Sequence, residues 1–331
     1  MTEKKILLIA TGGTIASRPG EDGLSPQITS EELLSCIPEV SEICTVETMQ
    51  LFNLDSTNMR PEHWLTVART IRDRYDEYDG FVITHGTDTM AYASATLYYL
   101  IQNSPRPVVL TGSQKSIYDR DTDARENLRG AIVYASDPGA CGVHIVFDGK
   151  VICANRAQKT RTRSFNAFSS IDFPEVAYIR DREVRYYLRE EPAGPVRFYD
   201  ALESRICVIK LIPGMDPGIL DYVGRQCRAV IIESFGVGGV PYYDNADFAE
   251  KIGALLQNHV KVIFTTQVPH EGSDMALYQV GFRIKQKYEL LEAHTMTTEA
   301  VVAKVEWALA AARDDEDFRT LFLTPVGNDR L

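Results

Sequence analysis

The chain has 331 residues, 44% of them apolar, which is enough for two domains of ordinary size. A formal net charge of −11 argues against a large nucleic-acid footprint, because such a face needs cations to neutralise phosphates. No run of about 18 apolar residues occurs, so we expect no membrane span. The apolar run from Ile6 to Ala10 is too short for a signal-peptide core, so we expect a cytoplasmic protein.

Short apolar runs alternate with helical patterns along the first part of the chain. KKILLIA predicts a strand, and the polar, Gly- and Pro-containing stretch from Arg18 to Pro26 predicts a mobile loop. Helices are predicted from Thr29, where Glu32 completes the spacing of a capping box, and from Pro61, in PEHWLTVARTIRDRYDEY. The strand GFVITHG, the helix DTMAYASATLYYLIQ and the strand RPVVLTG follow. This alternation predicts a parallel sheet with helices on its faces.

A second, similar series begins near Arg205. RICVIKLI, RAVIIESFG and KVIFTTQ predict strands, and helices are predicted to open at Asp216-Pro217 and at about Asp244. The charged segment before this series, which contains two prolines and a glycine, predicts a linker.

We therefore expect an α/β protein of two domains with mainly parallel sheets, the larger domain first. The expected boundaries are 1–185 for the N-terminal domain, 186–204 for the linker and 205–331 for the C-terminal domain. The six cysteines show no C-x-x-C spacing and are expected to be reduced thiols. The six histidines show no metal-binding motif, so we expect no metal site.

Three strands of the predicted first domain end alike, at Thr11-Gly12, at Thr84-His85-Gly86 and at Thr111-Gly112. In a parallel sheet the carboxyl ends lie along one edge, where open α/β folds bind ligands. Hydroxyl, carboxyl or amide side chains follow each end, namely Thr14, then Thr87 and Asp88, then Ser113 and Gln114. One such corner is a turn, but three on one edge favour a binding site.

Each of these segments also has a plainer interpretation. Thr14 could cap the turn that follows it, and Thr87 or Asp88 could cap the helix that begins near Thr89. QKTRTRSF could be a solvated basic loop, and NLDSTNM an ordinary Asx or Ser turn. ATGGTIAS lacks the spacing of a dinucleotide fingerprint or a P-loop, so phosphate binding is not favoured.

TGGTIAS and ITHGTDTMAYASATL together resemble the two signature segments of the bacterial-type L-asparaginases, specifically the cytoplasmic type I branch. The resemblance extends through LTGSQ, NRAQKTRTRSFNAFSS, LIPGM and ESFGVGG, and so covers nearly the whole chain. It implies a larger N-terminal and a smaller C-terminal α/β domain in a homodimer or homotetramer. It also implies hydrolysis of the side-chain amide of L-asparagine to L-aspartate and ammonia, without a metal or an organic cofactor.

The resemblance implies a catalytic group of Thr14, Thr87, Asp88 and Lys159. An amide is a poor electrophile with a poor leaving group, so it needs a positioned nucleophile and donors for the developing oxyanion. Thr14 would be the nucleophile, and lysine and aspartate would polarise the hydroxyl of Thr87. Either threonine could attack first; we favour Thr14.

The resemblance also implies a substrate-binding group for a zwitterion. Asp55, Ser56 and Thr57 would hold the α-amino and α-carboxylate groups, with Thr87 and Asp88 sharing this task. Carboxylates accept from the ammonium, while hydroxyl and backbone N–H groups donate to the carboxylate. Weaker candidates near the scissile amide are Gly86, Ser113 and Gln114.

One departure from the family pattern lies in the stretch EDGLSP. The family usually places a tyrosine in the mobile loop after the nucleophile, and Leu24 stands at that position here. No tyrosine occurs before Tyr75. Another side chain or a water molecule must therefore carry out the proton transfer that the family usually assigns to that phenol.

Two other functions stay open. The first is the amidase subunit of the archaeal-type tRNA-dependent amidotransferase, which shares both signatures. That subunit normally carries an N-terminal extension, whereas this nucleophile motif starts at Thr11, and an acidic chain is a poor RNA partner. The second is a non-catalytic amino-acid sensor with the same pocket, which the missing tyrosine makes conceivable.

Overall fold

The computed structural model describes residues 4–20, 23–243, 246–277, 279–288 and 290–330. The chain divides into two compact units, and the division falls between Asp200 and Ala201. Each unit contains a sheet with parallel strands and its own helices. The predicted two-domain α/β fold, with the larger domain first, is therefore confirmed.

The first unit is rich in short strands. In chain order they are β1 (Lys5–Gly12), β2 (Ser17–Gly20), β3 (Gly23–Pro26), β4 (Thr45–Leu54), β5 (Gly80–Thr84), β6 (Ile101–Gln102), β7 (Val108–Thr111), β8 (Val143–Phe147), β9 (Lys150–Cys153), β10 (Ala157–Lys159), β11 (Phe168–Ser170), β12 (Ala177–Arg180), β13 (Glu183–Tyr186) and β14 (Arg197–Phe198). Its α-helices are α1 (Ser30–Ser35), α2 (Pro61–Asp73), α3 (Met90–Leu100) and α4 (Ala124–Ser136).

The main sheet of the first unit has, among the described residues, the strand order β13-β12-β9-β8-β7-β5-β1-β4. The strands from β8 to β4 in this order run parallel, and the strands from β8 to β13 pair antiparallel. The central strands are continuous apolar runs because helices cover both faces of a parallel sheet. Every residue of β5, β7 and β8 is buried.

The second unit has its own parallel sheet. Its strands are β15 (Ile206–Lys210), β16 (Ala229–Ser234), β17 (Tyr242–Tyr243), β18 (Ala246–Asp247), β19 (Lys261–Thr266) and β20 (Leu291–Glu292). Its helices are α5 (Ile219–Gln226), α6 (Phe248–Gln257), α7 (Gln279–Lys287), α8 (Thr298–Ala311) and α9 (Asp315–Leu323). The sheet order is β15-β16-β19-β20, with all three pairings parallel.

Local signals in the sequence place several helix ends correctly. The Thr29 hydroxyl accepts from the Glu32 backbone N–H, and the Glu32 carboxylate accepts from the Thr29 N–H, so the predicted capping box forms. Pro61 is the first residue of α2. A backbone N–H at this position would have no acceptor within the helix, so the lack of one in proline costs no hydrogen bond. In the main core, α4 packs against β5, β7 and β8.

Four local predictions need correction or refinement. The stretch from Arg18 to Pro26 was expected to be a loop, but its described residues pair as the antiparallel strands β2 and β3, with Gly20 opposite Gly23. The helix expected through residue 102 ends at Leu100, and β6 follows. The helix after Pro217 begins later, at α5, because a turn closed by the Asp216 carboxylate comes first. Asp244, the expected start of another helix, lies outside the described residues; α6 opens after it.

None of the six cysteines, all within the described part of the chain, forms a disulfide. Among the described residues, no helix is both long and apolar enough to cross a membrane.

Candidate functional site

Three loops meet at the carboxyl ends of β1, β4 and β5. The Gly13 N–H donates to the Leu54 carbonyl oxygen at 2.9 Å, which joins the ends of β1 and β4. A Cβ on Gly13 would overlap the backbone of Gly86, and a Cβ on Gly86 would lie 2.6 Å from Cβ and Oγ of Ser56. Glycine at these two positions therefore allows the nucleophile loop, the Thr87 loop and the Ser56 loop to touch.

Thr14 projects from a short 3-10 turn, Thr14–Ala16, directly after Gly13, whose φ is +80°. Ile15 and Ala16 are fully buried and anchor the turn, while Thr14 is half-buried. The cap of this turn is Gly13, so Thr14 does not cap it. Within the described residues the Thr14 hydroxyl has no hydrogen-bond partner, which leaves it available to a ligand.

Lys159 connects the two polar residues after β5. Its ammonium donates to Thr87 Oγ1 at 2.8 Å and to Asp88 Oδ1 at 2.6 Å. The Lys159 side chain is 15% exposed and the Asp88 side chain is 61% exposed, so the group lies at the surface of the sheet edge. Lys159 is positioned by β10, where it pairs with Phe168 of β11.

Thr87 and Asp88 do not cap the following helix. The cap position of α3 is occupied by Thr89, and no side chain there accepts a cap hydrogen bond. The Thr89 hydroxyl instead donates to the Ser56 carbonyl oxygen at 2.9 Å, which ties the Thr87 loop to the Ser56 loop. The capping interpretation is therefore wrong, and the two polar side chains are left for the site.

Asp55, Ser56 and Thr57 form a compact turn at the end of β4. The Asp55 carboxylate accepts from the Thr57 N–H at 2.8 Å and from its hydroxyl at 2.7 Å. This is the Asx turn that the plainer interpretation predicts. Ser56 is buried, whereas Asp55 and Thr57 are exposed. The turn therefore fixes the orientation of the Asp55 carboxylate while leaving it open to solvent.

Ser113 and Gln114 differ in where their side chains go. The Ser113 hydroxyl donates to the Lys115 carbonyl oxygen, so it stabilises the turn in which Ser113 lies. Gln114 accepts from Thr87 Oγ1 at 3.3 Å and donates to the Ser164 carbonyl oxygen at 3.2 Å. Gln114 therefore lies beside the Lys159 group, and Ser113 supports the turn beneath it.

Asp123 was not singled out in the sequence, although it holds this turn. Its carboxylate accepts from the backbone N–H groups of Gln114 and Lys115 and from the Asn127 side chain. Burial raises the pKa of Asp123, while these hydrogen bonds oppose the rise. The signal available in the sequence is only an acidic residue at the start of α4, which also suits the helix dipole.

His85 lies under the glycine contact. Its Nδ1 is 2.7 Å from the Gly86 carbonyl oxygen, and since a carbonyl can only accept, Nδ1 carries the proton. Burial lowers the pKa of His85 to about 4, so the ring is neutral near pH 7. Its Nε2 is buried and has no hydrogen-bond partner among the described residues. His85 therefore supports the backbone of the site as a neutral donor.

Two descriptions of known protein families match the chain. The chain matches the family description "Asparaginase, N-terminal" over residues 5–192 and "Glutaminase/Asparaginase C-terminal domain" over residues 205–322. An L-asparaginase of Thermococcus kodakarensis is 37% identical over 96% of this chain and 96% of its own length. A solved structure described as the thermostable L-asparaginase from that organism has a TM-score of 0.92, at 36% identity and 98% coverage of both chains.

Two further matches have lower sequence identity to this chain. L-asparaginase I of Vibrio cholerae has a TM-score of 0.86 at 26% identity, with full coverage of both chains (100%). A subunit of the glutamyl-tRNA(Gln) amidotransferase of Metallosphaera sedula is 31% identical over 97% of this chain, which spans 75% of that relative. The two family matches together span most of the chain, and the chain belongs to the asparaginase family of amide-hydrolysing enzymes.

Proposed function

We propose that the protein is an L-asparaginase of the type I branch that converts L-asparagine to L-aspartate and ammonia through a threonine nucleophile. The observation that carries the proposal is the position of Lys159, whose ammonium bonds both Thr87 and Asp88. This group lies next to the glycine contact from which Thr14 projects. The name of the Thermococcus relative supports the choice of substrate, and that of the Vibrio structure supports the branch.

Hydrogen-bond directions favour Thr14 over Thr87 as the first nucleophile. Thr87 Oγ1 accepts from the Lys159 ammonium, and its own proton is directed to Gln114 Oε1. The proton of Thr87 and one of the two lone pairs on its oxygen are thus already engaged, which restrains its approach to an amide carbon. The Thr14 hydroxyl has no such partner within the described residues, so its oxygen can approach the amide carbon.

The reaction then proceeds in two steps. In the first, a bond forms between Thr14 Oγ and the amide carbon, and the carbon–nitrogen bond breaks as the nitrogen takes up a proton and leaves as ammonia. The proton of Thr14 reaches the nitrogen through Thr87, Lys159 or an ordered water. In the second step water adds to the resulting ester, which releases L-aspartate and restores the Thr14 hydroxyl.

The α-groups of the substrate bind between two exposed carboxylates and a buried hydroxyl. Asp55 and Asp88 accept from the α-ammonium, and Ser56 donates to the α-carboxylate. The close approach of Ser56 and Gly86 supports this pocket, because it brings the Ser56 loop beside the Thr87 loop. In a substrate with one more methylene the amide carbon would lie beyond Thr14. Such a difference lowers kcat/KM by roughly 10–200-fold.

The remaining expectations stay predictions. These are a homodimer or homotetramer in the cytoplasm, catalysis without a metal or cofactor, and domain boundaries at 185 and 205. In the family a neighbouring subunit closes the pocket, so we expect specific activity to fall on dilution to monomers.

Ammonia release from L-asparagine, L-glutamine and D-asparagine, measured side by side with the purified protein, tests the proposal. We expect L-asparagine to be preferred over L-glutamine by at least about tenfold in kcat/KM. Equal rates on both would contradict the proposed pocket. No release from any of the three would overturn the proposal and favour a sensor.

A second function is favoured by the amidotransferase relatives, one of which matches 97% of this chain. In that case ammonia release would depend on a charged tRNA. The net charge of −11 weighs against an RNA partner. The same assay, run with and without added tRNA and the second amidotransferase component, separates the two functions, because a stand-alone asparaginase needs neither.

A further inference from the structure

A second polar cluster lies away from the candidate active site. It consists of His144, Cys153 and Glu190. His144 is the second residue of β8, so it lies toward the amino end of the parallel strands, whereas the active-site residues follow the carboxyl ends. No step proposed for amide hydrolysis uses these side chains.

The sheet register brings two of the three side chains together. His144 and Cys153 are directly opposite each other in the antiparallel pair of β8 and β9, so their side chains project from the same face. Glu190 comes from the segment after β13, and its Oε2 lies 2.8 Å from His144 Nε2. One ligand atom from each residue lies within 4.8 Å of the other two.

The cluster is almost closed to solvent. The side chain of His144 is 1% exposed and that of Glu190 is 22% exposed, while Cys153 is fully buried. Tyr134 packs beside the cluster, with its ring centroid 5.5 Å from that of His144. Glu190 therefore marks the route by which an ion would enter.

A structural ion pair is the plainer interpretation of His144 and Glu190. It explains how the segment after β13 is fixed to the sheet. It does not explain why a thiol lies within reach of both groups.

We propose that His144, Cys153 and Glu190 bind one zinc ion. Imidazole nitrogen, thiolate sulfur and carboxylate oxygen are the three ligand types that zinc takes in proteins, and a water would complete the tetrahedron. Zinc–ligand bonds of about 2.0–2.3 Å place ligand atoms roughly 3.3–3.8 Å apart. His144 Nε2 and Glu190 Oε2 are now 2.8 Å apart and all three ligand atoms lie within 4.8 Å, so small side-chain rotations would bring the separations to that range.

The proton balance of binding is simple. The Cys153 thiol, which now donates to Asn155 Oδ1 at 3.0 Å, loses its proton to solvent as the sulfur–zinc bond forms. In the zinc-bound form His144 holds the metal through one ring nitrogen and keeps a proton on the other. Glu190 contributes its carboxylate, so one proton leaves for each zinc ion bound.

The ion would act on stability, because it joins β8, β9 and the segment that leads out of the first unit. Binding to the folded chain alone shifts the folding equilibrium by about a hundredfold when free zinc is at a hundred times its Kd. Asparagine hydrolysis should be insensitive to the metal. The success or failure of the zinc proposal is therefore independent of the proposed function.

The test uses the full-length protein, stripped with a chelator and then titrated with Zn²⁺ or Co²⁺. We expect one metal ion per chain after desalting, a thiolate-to-cobalt charge-transfer band, and a zinc-dependent rise in the unfolding midpoint. The band should disappear in Cys153→Ser and persist in Cys227→Ser, a matched cysteine of the second unit.

Glu190→Gln provides a second variant at the partly exposed side of the cluster, should Cys153→Ser fail to fold. It should keep the fold and bind the metal at least about tenfold more weakly, because loss of a direct carboxylate ligand costs no less than loss of an outer-shell partner. Substoichiometric metal in the wild type, or a charge-transfer band that survives in Cys153→Ser, would overturn the proposal. Unchanged affinity in Glu190→Gln would do so as well.

Discussion

Gly13 and Gly86 lie so close together that a Cβ atom on Gly13 would overlap the Cα and N atoms of Gly86. The residue after each glycine is a threonine, Thr14 in one loop and Thr87 in the other. The contact therefore fixes the separation of the two proposed catalytic threonines through backbone alone. A glycine pair can do this because neither residue presents a side chain.

Gly13→Ala should inactivate the enzyme through this contact. Because about 1 Å of displacement can cost 10²-fold, we expect kcat/KM to fall by at least about 100-fold. Gly214→Ala is a matched control, because Gly214 has a φ of +79° and a Cβ there would meet no heavy atom of the described residues within 4 Å. It should cost only the left-handed strain of about 1–2 kcal/mol, measured by urea unfolding, and leave turnover intact. Equal turnover in the two variants would contradict the role of the contact.

Lys159→Met should lower kcat by at least about 10³-fold, because groups that act as a unit fail individually. The substitution removes the ammonium that bonds Thr87 and Asp88 and keeps an apolar stem of similar length. Lys150→Met is the control, since the Lys150 ammonium forms a partly exposed ion pair with Glu175, which has no part in the proposed mechanism. Steady-state ammonia release, with circular dichroism to confirm folding, gives the result. A Lys159→Met variant as active as Lys150→Met would remove Lys159 from the mechanism.

Leu24→Tyr should change kcat by less than about tenfold, although general acid–base assistance is typically worth 10²–10⁴-fold. The reason is that leucine offers no proton, so the task of the family's phenol must already belong to Thr87, Lys159 or a water. Leu24 lies in β3, and the hinges we expect, Gly20 and Gly23, flank the hairpin tip. Steady-state kinetics of the variant decides the matter. A rise of two orders of magnitude would mean that the wild type lacks this proton transfer, and would strengthen the sensor interpretation.

His85 should make stability depend on pH in the acid range. Its folded pKa of about 4 lies below the ordinary value of 6.5, so the unfolded chain binds the proton more readily. The contribution of His85 to the free energy of unfolding is fully present above pH 6.5. It is lost as the pH falls toward 4, and the total loss is about 3 kcal/mol. His85→Asn keeps a donor for Gly86 and cannot titrate. The unfolding free energy of the wild type should therefore fall relative to that of the variant as the pH drops across this window; a constant difference would show that the pKa of His85 is the same in the folded and the unfolded chain.

Much of the architecture follows from local patterns. Strands that are buried on both faces of a parallel sheet, such as β5 and β7, are short and mainly apolar along their whole length. A short apolar run between turn residues therefore predicts such a strand. The capping box at Thr29 and the proline that opens α2 act within one turn of helix, so they can be read without tertiary information.

The features that sequence reasoning missed depend on contacts between distant residues. Apart from Leu24, the described residues of the β2–β3 hairpin are polar residues, glycines and prolines, which are typical of loops. Only the pairing of the two strands, from Ser17 opposite Pro26 to Gly20 opposite Gly23, reveals the hairpin. The His144–Cys153–Glu190 cluster matches no metal motif, because it needs a strand register and a segment that returns from after β13.

The candidate site was only partly predictable. Strand ends predict that polar residues after β1, β5 and β7 share one edge, and the structure places these strands side by side. Nothing in that pattern places Lys159 beside Thr87, because β10 lies in a separate small sheet; the family resemblance supplied that pairing. The support by Asp123 and His85 is likewise visible only in three dimensions.

The most direct measurement for the central proposal is ammonia release from L-asparagine by wild type, Thr14→Ala and Thr14→Ser, with folding checked by circular dichroism. We expect Thr14→Ala to lose at least about 10³-fold in kcat while remaining folded, and Thr14→Ser to retain part of the activity because it keeps a hydroxyl. Near-normal turnover by a well-folded Thr14→Ala variant would contradict Thr14 as the nucleophile.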